Sequence, residues 1–123
     1  MKEEFLHWLW KNRLFDADRL CDREAGPIEV IHPGEYNRDS GPDFFNTRLM
    51  IEGTVWAGNT EIHLNASDWY RHGHHTDHAY DNVILHLVHN NDAEAFTASG
   101  RRLLTSQLGY DVVLWDNYLD FVN

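Results

Sequence analysis

Residues 44–64, FFNTRLMIEGTVWAGNTEIHL, decide the fold of this chain because they contain two strand-prone runs joined by a turn. The runs over residues 44–52 and 54–64 are rich in β-branched, aromatic and other apolar residues, which suits strands. Glu52-Gly53 lies between them and is a turn sequence. The segment therefore predicts a β-hairpin.

The segments on either side of the hairpin predict further elements. Apolar residues recur at helical spacing over residues 3–15, and residues 28–31 contain the apolar residues of a short strand. Residues 66–81 are polar and predict a short helix or two helical turns. Residues 83–89, VILHLVH, lack alternation, which is typical of a central strand covered on both faces.

The predicted element order defines a fold class. Residues 103–108 and 111–122 are each predicted to be helical, which closes the chain with helices. The order α-β-β-β-α-β predicts an α+β fold, an α/β sandwich around a mixed central sheet with an N-terminal helix. At 123 residues, the chain (1–123) is expected to form a single domain.

Composition restricts the partners and the compartment. The chain has 10 basic and 20 acidic side chains, a balance that disfavours tight DNA binding without metal but allows a nuclease whose cations bind first. Its one cysteine, Cys21, forms no internal disulfide, and the N-terminus lacks an apolar signal core. The longest apolar run, VILHLV, is too short to span a bilayer. We therefore expect a cytoplasmic protein without a membrane partner.

The first candidate site combines carboxylates with an imidazole on the predicted hairpin. Glu61 and His63 are two residues apart on a strand, so they share a face, and Asp43 enters the neighbouring strand. Two carboxylates suit Mg²⁺ or Mn²⁺, and His63 would hold or deprotonate a water. Glu35 is a further candidate carboxylate, or a turn residue. Alternatively, Asp43 caps a turn, and Glu61 and His63 lie on a solvated face.

The second candidate site is the histidine-rich stretch RHGHHTDH, residues 71–78. Neutral imidazole is a common ligand of Zn²⁺, and the candidate ligands here are His72, His74, His75, Asp77 and His78. The alternatives are a surface loop whose histidines bond backbone groups, or substrate contacts to phosphate from Arg71, His72 and His74.

His86 interrupts the apolar run of the predicted central strand. A buried histidine is typically a core residue with its hydrogen bonds satisfied. The alternative is a partner that orients Glu61 or a loop ligand by hydrogen bonding.

Three stretches resemble a bacterial family catalogued as domain of unknown function 2851: EEFLHWLWKNRLF (3–15), IEVIHPGEYNRDSGPDFFNTRLMI (28–51) and WAGNTEIHLNASDWYRHGHHTDHAYDNVILHLV (56–88). The resemblance covers about residues 3–90, and residues 91–123 are expected to depart from the family. Members of this family are longer, which implies that the chain is an N-terminal domain or a shortened form. The resemblance implies no biochemical activity.

A second resemblance does imply chemistry. Pro42-Asp43, followed by Glu61-x-His63 on the next predicted strand, is similar to the PD-(D/E)XK nuclease motif, and the element order is similar to the restriction-endonuclease-like core. The resemblance implies that Asp43 and Glu61 are metal ligands. His63 stands where the motif has lysine, which replaces a fixed positive charge by a titratable group or a metal ligand.

These patterns lead to three hypotheses. The first is a Mg²⁺- or Mn²⁺-dependent phosphodiesterase that acts on nucleic acid through Asp43, Glu61 and His63. The second is a non-catalytic module that binds Zn²⁺ through the residue 72–78 cluster and docks a partner protein or a C-terminal region. The third is a structural domain without a site.

Overall fold

A computed structural model describes residues 1–122. The helices are α1 (Glu3–Lys11), α2 (Asp68–Arg71) and α3 (Val113–Val122), with 3₁₀ turns at Ala17–Arg19, His74–Thr76 and His78–Tyr80. The strands are β1 (Cys21–Asp22), β2 (Gly26–Pro27), β3 (Glu29–His32), β4 (Glu35–Tyr36), β5 (Phe44–Ile51), β6 (Thr54–Asn65), β7 (Val83–Asn90) and β8 (Thr105–Gln107). The architecture is α+β, as predicted.

The predicted hairpin is the centre of a mixed sheet with the strand order β3-β5-β6-β7-β8, and β4 pairs with β5. β5 and β6 are antiparallel, and Ile51 pairs with Thr54 around the predicted turn. Glu52 and Gly53 both have positive φ, at 48° and 77°, as a two-residue hairpin turn requires. β7 runs parallel to both β6 and β8, which confirms that it is a central strand.

Two predicted helices differ in the structure. The first helix ends at Lys11 rather than Phe15, because Arg13 has a left-handed φ of 54° that reverses the chain. Phe15 then stacks on Trp10 with ring centroids 4.9 Å apart. The predicted helix over 103–108 is wrong: this segment contains β8, which pairs with β7 and completes the sheet.

The other helical predictions are confirmed. Residues 66–81 contain the short α2 and two 3₁₀ turns, and residues 111–122 contain α3. Within residues 1–122, no helix has the length and apolar character needed to cross a bilayer.

The two faces of β6 have different roles. Ile62 belongs to the main core, in which Phe5, Leu6 and Leu9 of α1 are fully buried. Glu61 and His63 point to the opposite face, toward the segment that follows β6. Burial of the α1 face stabilises the domain, while the second face combines these polar residues with a smaller apolar cluster that contains Trp69.

The carbonyl oxygen of Pro33 ties α1 to the hairpin. It accepts hydrogen bonds from Trp10 Nε1 at 2.9 Å and from Thr47 Oγ1 at 3.1 Å. Gly34 follows with a φ of +99°, and a Cβ on this residue would lie 2.7 Å from the backbone oxygen of Phe45. Only glycine therefore fits this crossing of two backbones.

We expect Gly34→Ala to lower the free energy of unfolding by about 3 kcal/mol, because left-handed strain and overpacking each cost about 1–3 kcal/mol. Gly53→Ala is the matched control: its φ is also positive, at +77°, but a Cβ there meets nothing within 4 Å. The control should lose only about 1–2 kcal/mol from strain. Urea denaturation measures both, and equal losses would show that the close approach at Gly34 is unimportant.

Candidate metal centre

Asp43 and Glu61 meet across the hairpin. Phe44 pairs with Thr60, so the residues just outside that pair lie opposite each other on antiparallel strands. The backbone N–H of Asp43 donates to Glu61 Oε1 at 3.1 Å, and the backbone N–H of Ile62 donates to Asp43 Oδ2 at 2.8 Å. Each carboxyl group therefore bonds to the backbone of the other's strand. The predicted pairing of Asp43 with Glu61 is thus present.

The turn before β5 holds Asp43 in place. The side chain of Asn37 donates through Nδ2 to the carbonyl oxygens of Ser40 and Pro42, each at 2.9 Å. The backbone N–H of Asn37 also donates to the carbonyl of Asp43 at 2.8 Å. These bonds explain why turn-forming residues are concentrated in the sequence before the strand.

Helix α1 brings two further titratable residues to Asp43 that the sequence analysis did not identify. His7 Nε2 lies 3.6 Å from Asp43 Oδ2, and neither ring nitrogen of His7 has a hydrogen-bond partner among the described residues. Burial, followed by the charges of Asp43 and Asp68, raises the pKa of Glu3 to about 7. Glu3 and His7 are four residues apart and share a helix face, which is the signal that could have linked them.

The carboxylates carry uncompensated negative charge. Burial, followed by the charge of Glu61, raises the pKa of Asp43 to about 7. Burial also raises the pKa of Glu61 to about 7, against hydrogen bonds from Asp43 that lower it. Within residues 1–122, neither carboxylate has a lysine or arginine partner. Such a pair binds either a proton or a cation.

Three histidines adjoin the carboxylates. Glu61 Oε2 lies 2.9 Å from Nε2 of His74 and 3.3 Å from Nε2 of His63. His63, His72 and His74 each offer one ring nitrogen, and these three atoms lie within 4.8 Å of one another. The structure therefore combines His63 of the first predicted site with His72 and His74 of the second.

Burial favours the neutral form of three histidines on this face, His63, His74 and His86. Burial, followed by the neighbouring His86 and His74, lowers the pKa of His63 to about 2. Burial likewise lowers the pKa of His74, and it lowers that of His86 to about 3. His63 therefore supplies no positive charge where the nuclease motif has lysine, but a neutral imidazole can bind a metal.

A family model described as Protein of unknown function (DUF2851) matches residues 3–123. The chain belongs to this family. The match includes residues 91–123, so the expected departure of that segment from the DUF2851 family was wrong. β8 and α3 lie in that segment, and α3 packs on α1 through contacts such as Phe5 with Tyr118. No curated protein and no solved structure matches this DUF2851 chain.

Three residues of the histidine-rich stretch of this DUF2851 chain have other partners. His75 packs against an aromatic ring, and Asp77 accepts a hydrogen bond from the backbone N–H of Ala79 at 2.9 Å. His78 Nδ1 lies 2.6 Å from a carboxylate oxygen of Asp81 on the surface. These three residues lie outside the group of converging nitrogens.

The remaining predicted residues occupy different positions. His86 is fully buried and its Nε2 lies 2.7 Å from His63 Nδ1, so it orients that ring. Arg71 is exposed and pairs with Asp68 at 2.8 Å, which places a guanidinium at the rim of the histidine group. Glu35 is exposed on β4, with Oε2 at 3.5 Å from Asn46 Nδ2, and it contacts neither Asp43 nor Glu61 within the described residues.

Proposed function

We propose that this chain is a divalent-metal-dependent phosphodiesterase that acts on nucleic acid, with Asp43 and Glu61 holding Mg²⁺ or Mn²⁺. The observation that carries the proposal is that each of these two carboxyl groups accepts a backbone N–H from the other's strand across the hairpin, with no lysine or arginine partner among residues 1–122. The side chain of Asp43 is 24% exposed, so the pair opens to solvent on one side.

The donor set fits a hard cation. Carboxylate oxygens are the preferred protein ligands of Mg²⁺ and Mn²⁺. The unpaired ring nitrogens of His7 beside Asp43 leave further polar atoms that a hydrated ion can use. A cation would also relieve the repulsion between the carboxylates, because it replaces the proton that they otherwise share.

The residues around the pair suit a phosphate substrate. A bound Mg²⁺ would polarise the phosphate and lower the pKa of its water. Asp43 and Glu61 supply the negative charge that holds such a cation, while Arg71 and the exposed His72 can donate hydrogen bonds to phosphate oxygens at the rim. His74 is buried against Tyr80, with ring centroids 3.8 Å apart, and lies deeper than the rim.

The net charge implies that binding of nucleic acid would depend on cations held by the protein. The net charge is −10 with histidine neutral, which opposes binding of a polyanion by the protein alone. A divalent cation held by Asp43 and Glu61 would offset their two negative charges and present a positive ion to the phosphate.

The test is a cleavage assay with untagged protein on single- and double-stranded DNA and RNA. We expect EDTA to stop cleavage, and Mg²⁺ or Mn²⁺ to restore it, because the proposed mechanism needs the cation to polarise the phosphate and lower the pKa of its water. Asp43→Asn purified in parallel reports contaminating nuclease, and Asp77→Asn, which changes only a turn cap, should keep the wild-type rate. Equal cleavage by wild type and Asp43→Asn would contradict the proposal.

A second candidate function is a non-catalytic metal-binding module that docks a partner protein or a C-terminal region. The observation in its favour is the convergence of His63, His72 and His74. Stoichiometric zinc in protein that cleaves no substrate would favour this function over the first.

A further inference from the structure

We propose that His63, His72 and His74 form a second cation site, of the type that binds Zn²⁺, and that Glu61 is shared between this site and the carboxylate site. The histidine site stands on its own geometry, and only the sharing of Glu61 rests on the proposed function. Together they would make a centre for two cations.

The chain brings the three imidazoles together from two segments. His63 lies on β6, whereas His72 ends α2 and His74 begins the next 3₁₀ turn. Gly73 between them has a φ of +74°, a left-handed turn that lets two residues so close in sequence face the same strand. The ring centroid of His63 lies 4.9 Å from that of His72 and 5.3 Å from that of His74.

The contacts with Glu61 have the spacing of metal ligands. Its Oε2 lies 2.9 Å from His74 Nε2 and 3.3 Å from His63 Nε2. His74 is only 7% exposed, and its Nε2 has no hydrogen-bond partner among the described residues, although the carboxylate oxygen of Glu61 lies this close. Donor atoms on one tetrahedral Zn²⁺, each about 2.0–2.1 Å from the ion, lie roughly 3.3 Å apart. In such a site, the lone pairs of the donor atoms point at the ion rather than at each other.

Neighbouring side chains hold the two buried rings, those of His63 and His74, in place. His63 Nδ1 lies 2.7 Å from Nε2 of His86, which is fully buried. When Nδ1 of His63 carries the proton of this hydrogen bond, its Nε2 presents a lone pair to the site. Tyr80 stacks on His74 at 3.8 Å between ring centroids and fixes that ring. A ligand histidine held through its other ring nitrogen is the usual arrangement at metal sites.

Glu61 divides its two oxygens between the sites. Oε1 accepts the backbone N–H of Asp43, and Oε2 faces the histidines. The donors also divide by chemistry, since imidazole favours Zn²⁺ or Co²⁺ whereas carboxylate oxygens favour Mg²⁺ or Mn²⁺. His72 is exposed, so the histidine site has a path for the ion to enter.

The experiment titrates untagged, EDTA-stripped protein with Co²⁺ followed by visible absorption, and with Zn²⁺ followed by calorimetry. We expect one tightly bound equivalent with the absorption of a tetrahedral site. His72→Ala and His74→Ala should each weaken binding by about 100-fold or more, above the 10–100-fold that loss of an outer partner costs. His75→Ala and His78→Ala, in the same segment, should bind as wild type.

The outcomes separate the two proposals. His72 is exposed, so His72→Ala should fold and can test the histidine site if His74→Ala does not fold. Binding that is equal in wild type and His72→Ala, or no binding at all, overturns the histidine site and leaves Asp43-dependent cleavage to be judged by its own assay. Zinc binding that requires His72 in a protein without cleavage supports the histidine site and contradicts the phosphodiesterase.

Discussion

Glu61→Gln is expected to reduce metal-dependent phosphodiester cleavage by about 10³-fold or more, since charge stabilisation by a bound cation contributes several kcal/mol and each 1.36 kcal/mol is tenfold in rate. Glu61 contacts Asp43 through one oxygen and the histidines through the other, so its charge serves both sides of the centre. The measurement compares initial rates at saturating Mg²⁺ or Mn²⁺.

Loss of folding should not explain this effect. The substitution removes one of two buried carboxylates whose pKa values are raised by burial, so metal-free Glu61→Gln should be at least as stable as wild type. Glu35→Gln is the matched control, because Glu35 is exposed and lies apart from the pair. A rate for Glu61→Gln within about threefold of wild type would remove Glu61 from the mechanism, as this is less than 1 kcal/mol.

Asp22→Ala is expected to lower the free energy of unfolding by about 3 kcal/mol at pH 7, the range for breaking a buried ion pair. Asp22 is 2% exposed and accepts hydrogen bonds from Arg102 Nη1 at 3.0 Å and Nη2 at 3.2 Å. The backbone N–H groups of Ala25 and Thr105 also donate to it, at 2.9 and 3.0 Å. Asp22 therefore ties β1 to the edge of the central sheet, and its loss leaves buried donors unpaired.

The effect of Asp22 should depend on pH. Burial alone would raise the pKa of Asp22, but the hydrogen bonds from Arg102, Ala25 and Thr105 lower it to about 2. A lowered pKa in the folded state stabilises the protein above the unfolded value of about 3.9. This contribution is lost as the pH falls toward 2, so the difference between wild type and Asp22→Ala should shrink below about pH 4.

Urea denaturation at pH 7 and at pH 3 measures this difference. Asp18→Asn is the control, because Asp18 is exposed and a surface change of this kind should stay within about 0.5 kcal/mol. A difference between wild type and Asp22→Ala that is small at pH 7, or that grows in acid, would show that the buried pair does not stabilise the fold.

The local sequence pattern was sufficient to predict some secondary-structure elements and insufficient to predict others. The hairpin was predictable because Glu52-Gly53 marks its turn, and β7 because its apolar run lacks alternation, as a strand covered on both faces does. Residues 103–108 were mistaken for a helix because a segment of this length carries no clear hydrophobic period. Their strand structure depends on pairing with β7, which only the folded chain provides.

The site was predictable in parts but not as a whole. The spacing of Glu61 and His63 predicted a shared face, and the proximity of Glu61 to Asp43 followed from the hairpin. The approach of His7 to Asp43 could not be predicted, because it depends on how α1 packs on the sheet. The meeting of His63 with His72 likewise depends on the chain turning back over β6 after Asn65.

The role of Asp22 was not predictable for the same reason. It lies in a polar segment, and its partner Arg102 is far away in sequence. A carboxylate in such a segment resembles an ordinary surface residue until β1 packs beside β8.

A crystal structure of the untagged protein soaked in Mn²⁺, with anomalous difference density, tests the central claim most directly. We expect a peak within about 2.0–2.6 Å of a carboxylate oxygen of both Asp43 and Glu61, the range for divalent cations on oxygen ligands. At saturating Mn²⁺, an absence of density there, with each carboxyl group still hydrogen-bonded to the backbone of the other's strand, would contradict the proposed metal site.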